Sequence, residues 1–256
     1  MAKNVKCLIT GGCSFSQPNN QDINWIYHLT DYIKPKSFSH TGLGAAGNGM
    51  ISRRVIRETI KQLETHNPSD MLVGIMWSSF NRRELYSIKH VEHHVLNTGN
   101  HESYSNPATG YVSEHSNWYL INEHWNDPLT TNFFKNSYNF EDSLINTFEH
   151  ILRVQWFLKS NNIPYFMTEF DYTAFDDFPF SRPWQNNPEI MFLYNQIDKS
   201  HWLPIENCFQ WCKEESGKDF ARPPDPHPST EQHIEFTNRV IIPYLVEKNM
   251  LYDTIV

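Results

Sequence analysis

The sequence predicts an α/β fold, a three-layer α/β/α sandwich with a central, mostly parallel sheet. Three observations lead there. Apolar runs at 4–10, 70–78 and 163–170 have the length of strands and little polar alternation, as expected where a sheet is covered on both faces. Stretches at 24–33, from Asn48 onward, and at 138–162 carry apolar residues at helical spacing. The two patterns alternate along the chain, and strand followed by helix, repeated, implies parallel strands between helical layers.

In order, NVKCLIT (4–10) reads as a buried strand that Gly11 and Gly12 end in a tight turn. NWIYHLTDYI (24–33) is helical, and SFSHTGL (37–43) is a second strand. From Asn48, the residues Ile51, Val55, Ile56, Ile60 and Leu63 mark one face of an amphipathic helix. DMLVGIMWS (70–78) is the central strand. The segment 84–137, rich in His, Asn, Tyr, Ser and Trp, lacks a period and is expected to be an irregular insertion near the active-site edge. A long helix (138–162) and the strand IPYFMTEF (163–170) follow, then a second irregular insertion at 171–200. Cys208 and Cys212 stand four apart in an expected helix. PSTEQHIEFTNRVIIPYLVEKN (228–249) opens with helix-start chemistry and continues as a helix with a kink expected at Pro243.

Composition bounds the function. The 256 residues suit one domain spanning 1–256, and 39% hydrophobic with 14% aromatic residues supplies a core and an aromatic cleft. A net charge of -8 without a dense Lys/Arg run argues against nucleic acid as a partner. The apolar run at the start is too short for a signal-peptide core, and no stretch has the length of a membrane span, so a cytoplasmic protein without a membrane partner is expected. Cys7, Cys13, Cys208 and Cys212 are too few for a disulfide framework and lack a second pair for zinc. KHVEHH (89–94) matches no catalytic zinc spacing and reads as a solvated polar patch. Neither metal nor cofactor is expected.

Three segments carry candidate chemistry. GGCSFS (11–16) places Ser14 directly after a strand, where the glycines permit a sharp turn that projects its hydroxyl from the carboxyl edge of the sheet. RPPDPHPSTEQH (222–233) holds Asp225 and His227 in a proline-stiffened loop before a helix, suiting a general base and the carboxylate that orients it. TGLGAAGNGM (41–50) sets small residues between a strand and a helix, where the N–H of Gly44 or Gly47 and the Asn48 amide are candidates to stabilise an oxyanion. Its spacing is neither a dinucleotide fingerprint nor a P-loop, and Asn48 as a simple helix N-cap is the structural alternative.

Taken in order, these blocks resemble the SGNH (GDSL-type) hydrolases, and the resemblance spans nearly the whole chain apart from the insertions. It implies a flavodoxin-like sandwich, Ser14 as nucleophile and oxyanion donor, a second donor at Gly44 or Gly47, and Asp225 with His227 completing a triad. The usual Gly-Asp-Ser is here Gly12-Cys13-Ser14, the acid stands two rather than three positions before the histidine, and the Gly-x-Asn-Asp block is replaced by WSSFNRRE (77–84). Ser78, Asn81 or Asn48 would then supply the third oxyanion donor. The combination GCSFS, GNGMIS and MWSSFNR is also similar to SGNH-like proteins of marine bacteriophages. Arg82 and Asn81, just past the third strand, are candidates to bind substrate.

The expected function is therefore hydrolysis of an ester, with O-acyl groups on carbohydrate favoured, through an acyl-enzyme on Ser14. The alternatives are a non-catalytic glycan-binding or virion-associated module of the same fold, and an O-acyltransferase using the same triad.

Overall fold

The computed structural model describes residues 4–18, 24–86, 118–122, 128–171, 186–217 and 227–251. At its centre is an all-parallel sheet of four strands, β1 (Cys7–Gly11), β2 (Ser37–His40), β3 (Met71–Trp77) and β6 (Tyr165–Glu169), in the order β2-β1-β3-β6. Helices α1 (Trp25–Ile33), α2 (Asn48–Leu63) and α4 (Phe140–Ser160) alternate with these strands. This is the predicted α/β/α sandwich.

The strand pattern explains why both faces are covered. Along β3, Met71, Val73, Ile75 and Trp77 enter one core with Ile51 and Val55 of α2 and Phe148 and Ile151 of α4. Leu72 and Met76 enter the other, with Trp25 and Leu29 of α1 and the C-terminal Phe236, Ile241 and Leu245. Successive side chains of a strand point to opposite faces, so a strand that is apolar at every position needs a helical layer on each side. Gly74 lies under the Phe166 ring, and a Cβ built there would stand 2.6 Å from it.

The helix starts are set locally by residues visible in the sequence. Asn24 caps α1 and Asn139 caps α4. Asn187 caps α5 (Pro188–Gln196), and Asn207 caps α6 (Cys208–Glu214). Each side chain accepts a backbone N–H that the helix leaves unpaired, worth about 1 kcal/mol. Cys208 and Cys212 lie on α6 as expected, buried and reduced, with sulfurs 4.0 Å apart. Burial, with the neighbouring Cys212, pushes the Cys208 thiol up, which opposes thiolate chemistry there.

The expected insertions contain regular structure. β4 (Arg83–Tyr86) pairs antiparallel with β5 (Trp118–Ile121), and α3 (Pro128–Asn136) follows, all within or at the edge of 84–137. α5 and a 3-10 turn (Lys199–His201) occupy part of 171–200. Four-residue strands are too short to display a period, and α3 and α5 rest on few buried positions, Thr130 and Ile190 respectively. The remainder of both segments, KHVEHH included, lies outside the described residues.

α2 lacks a side-chain cap of its own, because Gly47 stands at its N-cap. Glu84 of β4 lies against that helix start: its carboxylate pairs with Arg53 at 2.6 Å, and burial pushes its pKa up. An anion at a helix N-terminus is favoured by the free N–H groups and the dipole. The two flanking glycines make room for it, since a Cβ on Gly49 would come within 2.1 Å of Glu84 Oε1 and one on Gly47 within 2.7 Å of Oε2.

The C-terminal helix is interrupted as the proline suggests. α7 (Thr230–Phe236) passes through a π-turn (Thr237–Ile241) into α8 (Ile242–Glu247), whose first turn holds Pro243. The widened turn accommodates a residue that has no N–H to donate.

Burial also fixes a pH response. It pushes His40 down to about 4 and His233 to about 3, both neutral in the fold. A histidine whose folded pKa lies below its unfolded value of about 6.5 binds fewer protons folded than unfolded between the two. Stability from these groups is complete above about pH 6.5 and is lost as pH falls towards 4, by up to about 1.4 kcal/mol per pH unit for each. Urea melts between pH 7 and pH 4.5 should show this decline; a flat profile would contradict the buried neutral histidines.

Candidate active site

The strand order places a switch point between β1 and β3, because the chain leaves β1 towards β2 on one side and returns to β3 on the other. In open parallel sheets, ligands bind outside the carboxyl ends of the strands at such a point. β1 ends at Gly11, and Ser14 opens a single 3-10 turn (Ser14–Ser16) directly beyond it.

The turn is rigidly held. Ser16 Oγ accepts a hydrogen bond from Trp25 Nε1 at 2.9 Å, tying the turn to α1. Gly12 is needed because a Cβ there would lie 2.4 Å from Ser16 Oγ and 2.8 Å from the Met76 carbonyl oxygen. The neighbouring loop packs as tightly: a Cβ on Gly42 would fall 1.9 Å from the Ser16 carbonyl oxygen, and the Leu43 N–H donates to Gly12 O at 3.1 Å. The two glycine-containing segments singled out in the sequence are thus one packed unit.

His227 reaches this unit from the far end of the chain. Its Nε2 lies 2.8 Å from Ser14 Oγ across 213 residues of sequence. Ser14 is partly buried and His227 exposed, so the pair stands at the mouth of the cleft. The Phe15 ring flanks the imidazole, with centroids 4.9 Å apart. Two residues beyond His227, Ser229 and Gln232 form a capping box, and Gln232 Nε2 also donates to Cys212 O at 2.7 Å. The start of α7, and with it the approach of His227, is pinned to α6. Asp225 lies outside the described residues.

The candidate oxyanion donors divide. The Ser14 N–H opens its 3-10 turn, and neither it nor the Gly44 N–H has an acceptor among the described residues. Gly44 faces the Ser14 turn, where a Cβ would meet Gln17 Oε1 at 2.6 Å. Gly47 instead faces β4, against Arg82 O and the Glu84 carboxylate. Asn48 and Ser78 are committed to each other: Ser78 N–H donates to Asn48 Oδ1 at 2.8 Å, and Asn48 Nδ2 donates to Ser78 O at 3.0 Å. The second Asn48 Nδ2 hydrogen serves Thr147 Oγ1 at 3.2 Å, so this buried amide has no donor left for a substrate. Asn48 is a clasp joining α2, the end of β3 and α4, and the expectation of an oxyanion role for Asn48 is corrected accordingly; of Ser78, the backbone N–H is engaged in the clasp.

Of the candidates to bind substrate, Asn81 accepts from the Tyr138 hydroxyl at 2.5 Å, which ties the loop after β3 to the start of α4. Arg82 donates from Nη1 to Ser78 Oγ at 3.0 Å and stacks on Phe170, its guanidinium carbon 4.8 Å from the ring centroid. Phe170 also packs against Phe15, with centroids 4.9 Å apart. Phe15, Gln17 and Phe170 were not among the residues expected from sequence. The available signal was position: Phe170 ends the predicted strand 163–170, and Phe15 and Gln17 lie just beyond the turn that ends the first strand.

Among the described residues, no group of three or more His, Cys, Asp or Glu is placed to hold a metal ion, and no helix is long and apolar enough to cross a membrane. Comparison with protein-family models, with curated proteins and with solved structures found no match. The functional reading therefore stands on this chain's own residues.

Proposed function

We propose that the protein is a serine-dependent ester hydrolase of the SGNH type that acts through an acyl-enzyme on Ser14. The observation that carries this reading is the 2.8 Å approach of His227 Nε2 to Ser14 Oγ at the switch point of a parallel sheet. His227 takes the Ser14 proton as Oγ attacks the ester carbonyl. The oxyanion is received by the N–H groups of Ser14 and Gly44, and collapse expels the alcohol, which leaves with the proton from His227. Water then loses a proton to His227 as it attacks the acyl-enzyme, and the acid is released. Asp225, two residues before the base, orients the imidazole in this scheme. O-acylated carbohydrate is the substrate class we favour, on the aromatic and Asn-rich composition of the segments 84–137 and 171–200. A cytoplasmic setting belongs to the same proposal.

A second reading, a glycan-binding or virion-associated module without turnover, gains weight from one observation. With the Asn48 amide and the Ser78 N–H engaged, neither supplies the third oxyanion donor that the family pattern implies. Incubation with a fluorophosphonate and with aryl acetates separates the two. Covalent labelling of Ser14, mapped by peptide mass, together with acetate release is the result expected of the hydrolase. Folded protein that is neither labelled nor active would favour the binding module, and partition of the acyl group to added sugars rather than water would identify a transferase.

A further inference from the structure

The geometry points to Arg82 as the specificity-determining residue of this site: the ester cleaved at Ser14 carries a carboxylate close to its scissile carbonyl, and Arg82 binds it. The inference rests on the hydrolase reading for its ester and on independent contacts for its charge.

Arg82 differs from the arginines around it. Arg53 is paired with Glu84 at 2.6 Å, and Arg83 with Asp142 at 2.5 Å. Arg82 has no carboxylate partner among the described residues, although its side chain is partly buried. Its contacts are a neutral hydroxyl, Ser78 Oγ, and an aromatic face, Phe170. A half-buried guanidinium with no carboxylate partner among the described residues attracts an anion.

Its position ties that attraction to the reacting pair. Phe170 packs on Phe15, Phe15 packs on His227, and His227 reaches Ser14, so the guanidinium belongs to the wall that carries the base. Ser78, which receives Arg82, is itself fixed through its backbone by the Asn48 clasp. One N–H is spent on Ser78 Oγ, and the remaining donors of the fork suit a carboxylate, which they grip with two parallel hydrogen bonds. Stacking on Phe170 sets the plane of the fork beforehand, so little rotamer entropy is lost on binding. With Arg53 and Arg83 neutralised, Arg82 is a cation without a carboxylate partner among the described residues, which matches a monoanion.

The test compares matched esters that differ only in charge: acetoxybenzoates against acetoxybenzamides, and 4-nitrophenyl succinate against 4-nitrophenyl succinamate. The first pair carries the carboxylate on the leaving group and the second on the acyl group. The wild-type protein should prefer the anion of at least one pair by about 10- to 100-fold in kcat/KM, the range expected of a charge-assisted hydrogen-bond pair. In Arg82→Gln that ratio should fall to near unity, with Arg82→Lys between, because a point charge replaces the fork. A ratio is unaffected by any general loss of activity in the variants. Calorimetric binding of the same acids and amides to Ser14→Ala, with and without Arg82→Gln, provides a readout that needs no turnover. Hydrolysis at Ser14 with no preference for either anion overturns the role of Arg82 and leaves the hydrolase standing. Carboxylate binding that depends on Arg82, in a protein that cleaves no ester, supports the anion site and sinks the hydrolase. Carboxylate binding indifferent to Arg82, or none at all, overturns this inference.

Discussion

Ser14→Ala and His227→Ala are each expected to lower kcat/KM for an aryl acetate by about 10⁴-fold or more, and the double variant should be little worse than either alone. A hydroxyl attacks an ester at neutral pH only when a base removes its proton as the bond forms. The imidazole at 2.8 Å is the one placed to do so at Ser14. Each partner without the other is idle, which is why their losses do not add. The change should fall on turnover rather than on folding, because Ser14 is partly buried and His227 exposed, and melting temperatures should shift by only a few degrees. A Ser14→Ala protein retaining activity within tenfold of the wild type would remove Ser14 from the chemistry.

The second large effect is on stability. Asn48→Ala should cost about 3 kcal/mol, read as a fall in Tm of about 6–12 °C for a chain of this size. The substitution strands the Ser78 N–H, the Ser78 carbonyl and the Thr147 hydroxyl, which now bond to a side chain that is 2% exposed. Were Asn48 an oxyanion donor instead, the same variant would lose turnover with an unchanged melt. The two outcomes divide a clasp from a catalytic amide, and thermal denaturation beside aryl acetate kinetics suffices to tell them apart.

Asn48 also marks the boundary of what the sequence reveals. A polar residue after a glycine-rich turn suits an N-cap or an anion site equally. Only the positions of Ser78 and Thr147, 30 and 99 residues away, decide for a clasp. The sheet was legible because strands apolar at every position need two covering layers, and the last helix because Ser229 and the residues after it carry helix-start chemistry. The joining of Ser14 and His227 was what the resemblance to the SGNH hydrolases implied, through the order of the sequence blocks. Arg82 was legible as a cation after β3, but its stacking on Phe170 was not, since that contact spans two strands. β4 and β5 escaped notice because four residues carry no readable period, and their pairing is long-range. Asp225 lies outside the described residues.

The distance along the chain between nucleophile and base also fixes when the reactive pair can exist. The ribosome delivers Ser14 with the first strand and His227 only 213 residues later, roughly 10–40 s at ordinary rates of synthesis. On the hydrolase reading, Ser14 lacks the His227 imidazole throughout that interval, and a nascent or truncated polypeptide lacks the pair. Latency, on that reading, is thus written into the order of the chain.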